Sequence, residues 1–276
     1  MPSDRSQWYV NSRCINCMAS RTMAPDLMKE SNGRSVFVRQ PSGPDEVLAA
    51  WRAAGVCPTG AVEAPADLTR PLNLFPQDLG ENAYRLGSNG KSSYGAHSYF
   101  AVVDGAGCMI DAPRWTDHLA AWITEMGGLD HILLTHRDDI ADAKRYAEHF
   151  GSRVWIHEAD AASAPFATDI MRGSTPILPL PSIKVIFVPG HTRGSVMYLV
   201  DDSTLFSGDS LAWDSEAGTL RAYREFCWYD WAEQLKSLAK LRDVHFSRLF
   251  AGHGESVALT HAEMGSALRT FLDAAQ

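Results

Sequence analysis

Four segments in the last two thirds of the chain carry histidine and aspartate side chains that could bind a metal ion. Residues 136–139, His191, Asp209 and His253 each follow an apolar run that is typical of a buried strand. Because α/β folds place their ligands where strands end and loops begin, these side chains are candidates for one site. Imidazole and carboxylate ligands suit Zn²⁺ or Fe²⁺, which leave a coordination position open for water or substrate.

The elements that would position these side chains alternate between strands and helices. From residue 82 onward the sequence predicts a hairpin, strands 97–103 and 108–110, joined by the turn Asp-Gly-Ala-Gly at 104–107. Strand and helix then alternate to the C-terminus, which predicts two mixed sheets with helices outside, an α/β (α+β) fold. The predicted helices lie at residues 115–126, 140–150, 228–241 and 261–275.

The motifs at the strand ends resemble those of the metallo-β-lactamase superfamily. Residues 189–195, Pro-Gly-His-Thr-Arg-Gly-Ser, match its Gly-His-Thr-x-Gly-Ser segment, and residues 206–210, Phe-Ser-Gly-Asp-Ser, contain its Gly-Asp. Residues 250–255 contain its late Gly-His, and Asp111 resembles an early aspartate that supports the site without binding metal. The resemblance covers roughly residues 82–276 and implies an αββα sandwich that binds one or two metals along the edge between its sheets.

The first motif of that superfamily, Thr-His-x-His-x-Asp-His, is altered in this chain. His136 matches the first ligand, but Asp138 stands where the second histidine is expected. If two residues are inserted, Asp142 recovers the aspartate of the motif and Ala143 replaces the final histidine. Asp139 remains an alternative to Asp138, and both aspartates could instead cap the helix that follows.

The resemblance therefore implies two metal positions of unequal quality. The first has two imidazoles and carboxylate oxygens, a set that suits iron or manganese at least as well as zinc. The second has one imidazole fewer than is normal for the superfamily, so we expect it to be weak or empty. The ligands implied for the first position are His136, Asp138, His191 and Asp209, and those for the second are Asp142, Asp209 and His253.

The N-terminal region carries a separate set of candidate ligands. Cys14, Cys17 and the Cys57-Pro58 pair resemble the cysteine pattern of single-cluster ferredoxins, with Ser20 in place of the third cysteine. The resemblance implies a small ferredoxin-like α+β domain at residues 1–66, a linker at 67–81 and a metallo-β-lactamase-like domain at 82–276. Because an incomplete ligand set loses affinity, we expect no cluster; three irons on three thiolates, or four irons with the serine oxygen, remain alternatives.

Composition and charge limit the classes of partner that the protein could bind. The net charge of −8 and the pI near 5.7 argue against a nucleic acid or an anionic membrane. No apolar run approaches the roughly 20 residues that span a bilayer, and no signal-peptide core follows Met1. The odd count of 5 cysteines argues against a disulfide framework. We expect a cytoplasmic protein that acts on a small molecule, and the sequence leaves a homodimer open.

The favoured function is that of a metal-dependent hydrolase. A bound metal lowers the pKa of water toward about 7 and polarises a carbonyl, so that a small ester, thioester, lactone or amide is attacked. Asp209 or Asp142 would orient the nucleophile. The first alternative is a non-haem iron oxidoreductase with an electron-transfer partner, suggested by the carboxylate-rich site and the ferredoxin-like region. The second is a non-catalytic binding protein whose metal site has eroded, because Ala143 and Ser20 both stand in ligand positions.

Overall fold

The N-terminal region contains two helices and two small antiparallel sheets. The computed structural model describes residues 6–174 and 178–275. Helix α2 has a proline and two acidic residues in its first turn, as helix N-termini prefer, and packs Trp51 edge-on against Trp8 at 5.0 Å between ring centroids. The elements of this region are β1 (Tyr9–Val10), α1 (Ala19–Met23), β2 (Met28–Ser31), β3 (Arg34–Phe37), α2 (Pro44–Val56) and β4 (Val62–Glu63), with β1 paired to β4 and β2 to β3.

The segment 67–81, expected to be a linker, is partly built into the fold. Gln77–Asp78 form β5, an edge strand that pairs antiparallel with β6 (Ala83–Arg85). Leu74 is buried in the same apolar cluster as Trp8, on the N-terminal side. The sequence did not predict this strand, because a two-residue strand is too short to show the alternation that marks strands in a sequence.

The first large sheet has seven strands in the order β11-β10-β9-β8-β7-β6-β5. Strands β8, β9, β10 and β11 are parallel to one another, whereas β5 to β8 form an antiparallel meander. Helices α3 and α4 lie in the connections between the parallel strands. The further elements are β7 (Tyr99–Val103), β8 (Ala106–Ile110), α3 (Asp117–Glu125), β9 (His131–Leu133), α4 (Ala143–Phe150), β10 (Arg153–His157) and β11 (Asp169–Met171).

The second large sheet has five strands in the order β12-β13-β14-β17-β18, of which β14 and β17 are parallel. A separate hairpin, β15 with β16, follows β14. Helix α5 begins three residues later than predicted, because the Asp230 side chain accepts a hydrogen bond from the Glu233 amide and so caps it. The elements are β12 (Ile183–Phe187), β13 (Val196–Val200), β14 (Thr204–Gly208), β15 (Ala212–Asp214), β16 (Thr219–Arg221), α5 (Trp231–Leu238), β17 (Arg248–Ala251), β18 (Val257–Ala258) and α6 (His261–Ala274).

Three apolar clusters define four layers. The middle cluster joins the inner faces of the two large sheets, with Tyr99 and Trp155 on one side and Tyr198 and Phe250 on the other. A second cluster packs α3 and α4 on the outer face of the seven-stranded sheet, and a third packs α5 and α6 on the outer face of the five-stranded sheet. This confirms the predicted αββα sandwich. In the described part of the chain, no helix is long and apolar enough to cross a membrane.

The two sheets come close together where β14 ends. Gly208 has φ of +51°, and a Cβ built on it would lie 2.5 Å from Thr135 Oγ1, at the end of the opposing sheet. Only glycine meets both demands, since a side chain would be strained there and would also push the sheets apart. This close approach fixes the spacing between the strand ends that carry His136 and Asp209.

Replacing Gly208 by alanine is therefore expected to destabilise the protein beyond the ordinary penalty of a positive φ. We expect Gly208→Ala to lower the free energy of unfolding by about 3 kcal/mol, and the control Gly151→Ala by about 1 kcal/mol. Gly151 also has positive φ, 72°, but a Cβ there meets nothing within 4 Å. Urea denaturation of both variants in the presence of a chelator measures the difference, and equal losses would contradict the close approach.

Candidate functional site

The candidate ligands lie at one edge of the sandwich because each follows the end of a strand. Asp111 follows β8, and His136 follows the neighbouring parallel strand β9 in the first sheet. Asp209 and His253 follow β14 and β17, which are neighbouring parallel strands of the second sheet. Since the carboxyl ends of these two strand pairs meet at the same edge, residues far apart in sequence come together there.

The first group comprises two imidazoles and two carboxylates. Asp209 Oδ2 lies 3.6 Å from His136 Nε2 and 3.6 Å from His191 Nε2. Asp138 Oδ2 lies 3.8 Å from the first of these nitrogens and 3.6 Å from the second. These distances are too long for hydrogen bonds, but two ligands at about 2.1 Å from one tetrahedral zinc lie roughly 3.4 Å apart. The arrangement thus has the spacing of a metal site.

The second group shares Asp209 with the first. The ligand atoms of Asp139, Asp209 and His253 lie within 4.8 Å of one another. Gly252 makes room for them, since a Cβ there would lie 2.6 Å from Asp209 Oδ1 and 3.2 Å from Asp139 Oδ2. The two groups are therefore adjacent, with Asp209 placed between them, as a site for two cations requires.

The structure places Asp139, and not Asp142, beside Asp209 and His253 in the second group. The Asp142 carboxylate accepts a hydrogen bond of 2.7 Å from the Trp115 backbone amide and precedes helix α4 as its N-cap residue. Asp142 thus fixes a loop and does not belong to either ligand group. The sequence offered Asp139 only as an alternative to Asp138 in the first group, because the altered spacing of the motif gives no sign of its place in the second.

Neighbouring side chains orient His136. Thr135 donates its hydroxyl and amide protons to the two carboxylate oxygens of buried Asp111, each at 2.8 Å. The Thr135 hydroxyl has therefore no proton left for His136 Nδ1, 2.9 Å away, and we infer that it accepts one from that nitrogen. This tautomer leaves Nε2 of His136 unprotonated and directed at the site, as a metal ligand requires.

The polar atoms at the centre are buried without partners. Among the described residues, buried atoms that lack a hydrogen bond include His136 Nε2, His191 Nε2, Asp138 Oδ2, Asp209 Oδ1 and both carboxylate oxygens of Asp139. Leaving one such group unsatisfied costs about 1–3 kcal/mol, and more when it is charged. Several of them converging on one point indicate a missing partner of positive charge, so the residues fit a divalent cation.

The electrostatics of the site lead to the same conclusion. Burial raises the pKa of Asp139 well above its usual range, and the nearby Asp209 carboxylate adds to the shift. Burial lowers the pKa of His136 to about 4, so that its imidazole is neutral at pH 7. Burial also opposes ionisation of Asp209, yet the surrounding imidazoles hold its pKa below the usual value. A cation held by these groups would remove the repulsion that Asp139 experiences.

A cavity of about 480 Å³ opens above the two ligand groups. Its floor contains Asp138, Asp139, His191, Asp209 and His253. Its walls come from three segments: residues 16–18 of the N-terminal region, residues 92–94, and Tyr223, Phe226 and Trp228. The sequence suggested the last of these segments and Tyr94, but it contained no sign that the N-terminal region reaches the site, because packing between distant segments leaves no local pattern.

The three N-terminal cysteines and Ser20 line a second, smaller cavity. The sulfurs of Cys14 and Cys57 accept hydrogen bonds from the backbone amides of Ser35 and Ala61, at 3.4 Å and 3.1 Å. Cys17 lines both cavities, and burial raises the pKa of its thiol to about 11. The Ser20 hydroxyl donates to the Ala53 carbonyl at 2.9 Å, so its proton is used within the fold.

The sequences of curated proteins match parts of the chain. Hydroxyacylglutathione hydrolase of Acidiphilium cryptum (strain JF-5) is 34% identical over 118 residues, which are 42% of this chain and 49% of that enzyme. Beta-lactamase-like protein 2 homolog of Drosophila melanogaster is 26% identical over 210 residues, 69% of this chain and 67% of that protein. The alignment with the first of these relatives therefore spans only about half of its length.

Both parts of the chain also match known structures or families. The family described as the 4Fe-4S single cluster domain of ferredoxin I matches residues 10–64. The crystal structure of the DIM-1 metallo-β-lactamase superposes with a TM-score of 0.54 at 18% identity, over 70% of this chain and 95% of that one. The chain therefore has the metallo-β-lactamase fold, preceded by a segment similar to single-cluster ferredoxins.

Proposed function

We propose that this protein is a metal-dependent hydrolase that cleaves a small thioester or a related ester, lactone or amide. The observation that carries the proposal is the convergence of unpartnered, buried imidazole and carboxylate atoms beneath a cavity. The similarity to a hydroxyacylglutathione hydrolase over part of the chain supports thioester chemistry. The cytoplasmic location expected from the sequence stays a prediction, and a homodimer stays open.

The proposed ligand sets follow the two groups at the strand ends. His136, Asp138, His191 and Asp209 would hold the first cation, and Asp139, Asp209 and His253 the second. When bound, a divalent cation supplies Lewis acidity, which polarises a carbonyl and lowers the pKa of water. Oxygen-rich sites accept iron and manganese as well as zinc, so the geometry supports all three.

Two features of the chain would then act on substrate and water. Asp209 directs Oδ2 at three imidazoles and keeps Oδ1 without a hydrogen-bond partner, so Oδ1 is placed to accept a proton from the attacking water and to orient it. The aromatic wall of the cavity would exclude bulk water and hold the rest of the substrate. Asp142, bound to the Trp115 amide, has no part in this proposal.

The alternative of an iron oxidoreductase retains two supporting observations. Asp138 gives the first group a second carboxylate, and the ferredoxin-like segment lines the same cavity through Cys17. Iron bound by two histidines and a carboxylate with open positions is typical of oxygen chemistry. Co-purification of iron with a visible band that dithionite bleaches would favour this function, and a colourless zinc protein would exclude it.

For the N-terminal segment we propose that the native protein holds no four-iron cluster. Ser20 occupies the position of a ligand cysteine, is buried, and uses its hydroxyl proton on the Ala53 carbonyl. Three thiolates remain, and an incomplete set of soft ligands binds more weakly. The small cavity, which is lined by residues of the N-terminal region alone, would then hold no cluster.

The choice of Asp139 over Asp142 gives a matched pair of variants. Asp139→Asn is expected to weaken the second metal position by about tenfold or more, since even outer partners of a site contribute that much. Asp142→Asn should leave metal binding unchanged, because an asparagine oxygen can still accept from the Trp115 amide. Elemental analysis and chelator competition measure both, and loss of metal from Asp142→Asn alone would contradict the assignment.

Thioester hydrolysis should depend on metal and on His191. Exhaustive chelation and His191→Ala are each expected to lower kcat/KM by about a hundredfold or more. His261→Ala serves as the control, because this histidine is exposed at the start of α6. Steady-state rates before chelation, after it and after metal is restored provide the measurement. Full activity in the chelated protein would rule out the proposed mechanism.

Restoring the missing thiolate should create a cluster site. After anaerobic reconstitution with iron and sulfide, Ser20→Cys is expected to develop a broad visible band that dithionite bleaches, with four irons expected per cluster of this family type. Wild type and the control Ser20→Ala should both lack the band. Iron and sulfide analysis accompanies the spectra. An equal band in wild type would show that three cysteines suffice.

A further inference from the structure

The segment that carries the aromatic wall of the cavity is hydrogen-bonded to the loop that carries His191. Backbone amides of Trp228 and Asp230 donate to the carbonyls of His191 and Gly190, at 2.9 Å and 3.1 Å. The Cys227 thiol donates to the Gly190 carbonyl at 3.1 Å. The segment that carries the aromatic wall is therefore held against the loop that carries a proposed ligand.

A second wall, which comes from the N-terminal region, is also held in place by contacts with the rest of the chain. The Tyr94 hydroxyl donates to the Ile15 carbonyl, and a Cβ on Gly95 would lie 2.8 Å from Cys17 Sγ. Buried His97 bridges the two parts of the chain, with Nε2 2.9 Å from Thr22 Oγ1 and its backbone amide donating to the Gly252 carbonyl. Residues 16–18 thus have a defined place in the wall of the cavity that the aromatic residues also line.

The aromatic wall offers a continuous apolar surface above the metal ligands. Tyr223 and Phe226 have ring centroids 6.2 Å apart, and Phe226 and Trp228 have centroids 6.4 Å apart. Trp228 in turn lies 6.4 Å from the His191 ring, and 58% of its surface is exposed. An exposed aromatic surface of this kind stabilises a ligand by burying apolar area on both partners.

The walls carry no charge that could pair with an ionised substrate. Among the described residues that line the cavity, the only ionisable side chains outside the ligand groups are Cys17 and two tyrosines, and there is no lysine or arginine. Arg21 and Arg193, on adjacent segments, are engaged elsewhere: Arg21 donates to Asn16 and Ser35, and Arg193 lies over the Tyr229 ring at 5.3 Å. Arg137 pairs with Asp138 at 3.7 Å, and Lys91 and Arg224 adjoin the wall segments without lining the cavity. A carboxylate held against these walls would lose hydration without acquiring a cationic partner.

We infer that the substrate is an uncharged ester or thioester whose non-reacting part is aromatic or branched apolar, bound between Phe226, Trp228 and the N-terminal residues 16–18. This inference rests on the proposed function of the site and specifies its substrate class. The inferred substrate class differs from the substrate named for the hydroxyacylglutathione hydrolase relative. Glutathione is charged, since it carries two carboxylates and an ammonium group. The N-terminal region therefore contributes to specificity, whether or not it holds a cluster.

A pair of inert ligands tests the inference without turnover. S-Benzyl-N-acetylcysteamine and S-benzylglutathione share a benzyl thioether and differ in charge. Calorimetric titration of the full-length, zinc-reconstituted protein is expected to show the neutral ligand binding about tenfold more tightly, because only the charged ligand must give up hydration of its carboxylates against an apolar wall. Equal or tighter binding of S-benzylglutathione would overturn the inference.

Three variants assign the effect to the proposed wall. Phe226→Ala and Trp228→Ala should each weaken binding of the neutral ligand about tenfold, because each removes apolar area that the ligand buries. Tyr229→Ala should change it less than about twofold, because Tyr229 belongs to the same segment but does not line the cavity. Zinc content of each variant reports an intact site. Equal effects at Tyr229 and Phe226 would refute the assignment.

Hydrolysis of the matching phenylacetyl thioesters separates the two hypotheses. If the neutral ligand binds as expected but neither thioester is cleaved, the proposed function fails and the inference about the cavity stands. If both thioesters are cleaved and the glutathione thioester has the higher kcat/KM, the substrate class is wrong and the hydrolase function stands.

Discussion

The site depends on a group of imidazole and carboxylate atoms that the fold buries at one edge of the sandwich and that form no hydrogen bonds within the protein. Asp139 is about as exposed as a core leucine, yet both of its carboxylate oxygens lack hydrogen bonds. Burying such atoms is unfavourable unless a partner of opposite charge satisfies them, which is why these residues fit a metal ion. Every part of the proposed mechanism, from ligand spacing to the orientation of His136, follows from how the sandwich holds these atoms at one edge.

The N-terminal region lies beside that edge and lines the same cavity. Single-cluster ferredoxins are electron carriers by family, but here the corresponding segment places residues 16–18 in the wall of the cavity. Cys17 lines both the cysteine cavity and the main cavity, so this side chain lies where the N-terminal region meets the rest of the chain. In the hydrolase hypothesis this segment selects substrates, and in the oxidoreductase hypothesis it stands beside the metal that would receive electrons.

Much of the fold and the site could be predicted from the sequence because the candidate ligands come directly after the strands. His191, Asp209 and His253 lie in short contiguous motifs after apolar runs, and the structure brings all three to the same edge. Asp139 could not be assigned, since the altered first motif loses its spacing and only the tertiary packing beside Gly252 selects between neighbouring aspartates. The place of residues 16–18 and the edge strand at Gln77–Asp78 depend on packing between distant segments, which leaves no local periodicity.

Anomalous diffraction from crystals of the protein as purified would locate a bound metal without assuming its identity. We expect a strong anomalous peak bounded by His136 Nε2, His191 Nε2 and Asp209, with any second peak between Asp139 and His253. Anomalous density confined to the cysteines at 14, 17 and 57, or none at the strand ends after metal has been supplied, would contradict the proposed metal centre.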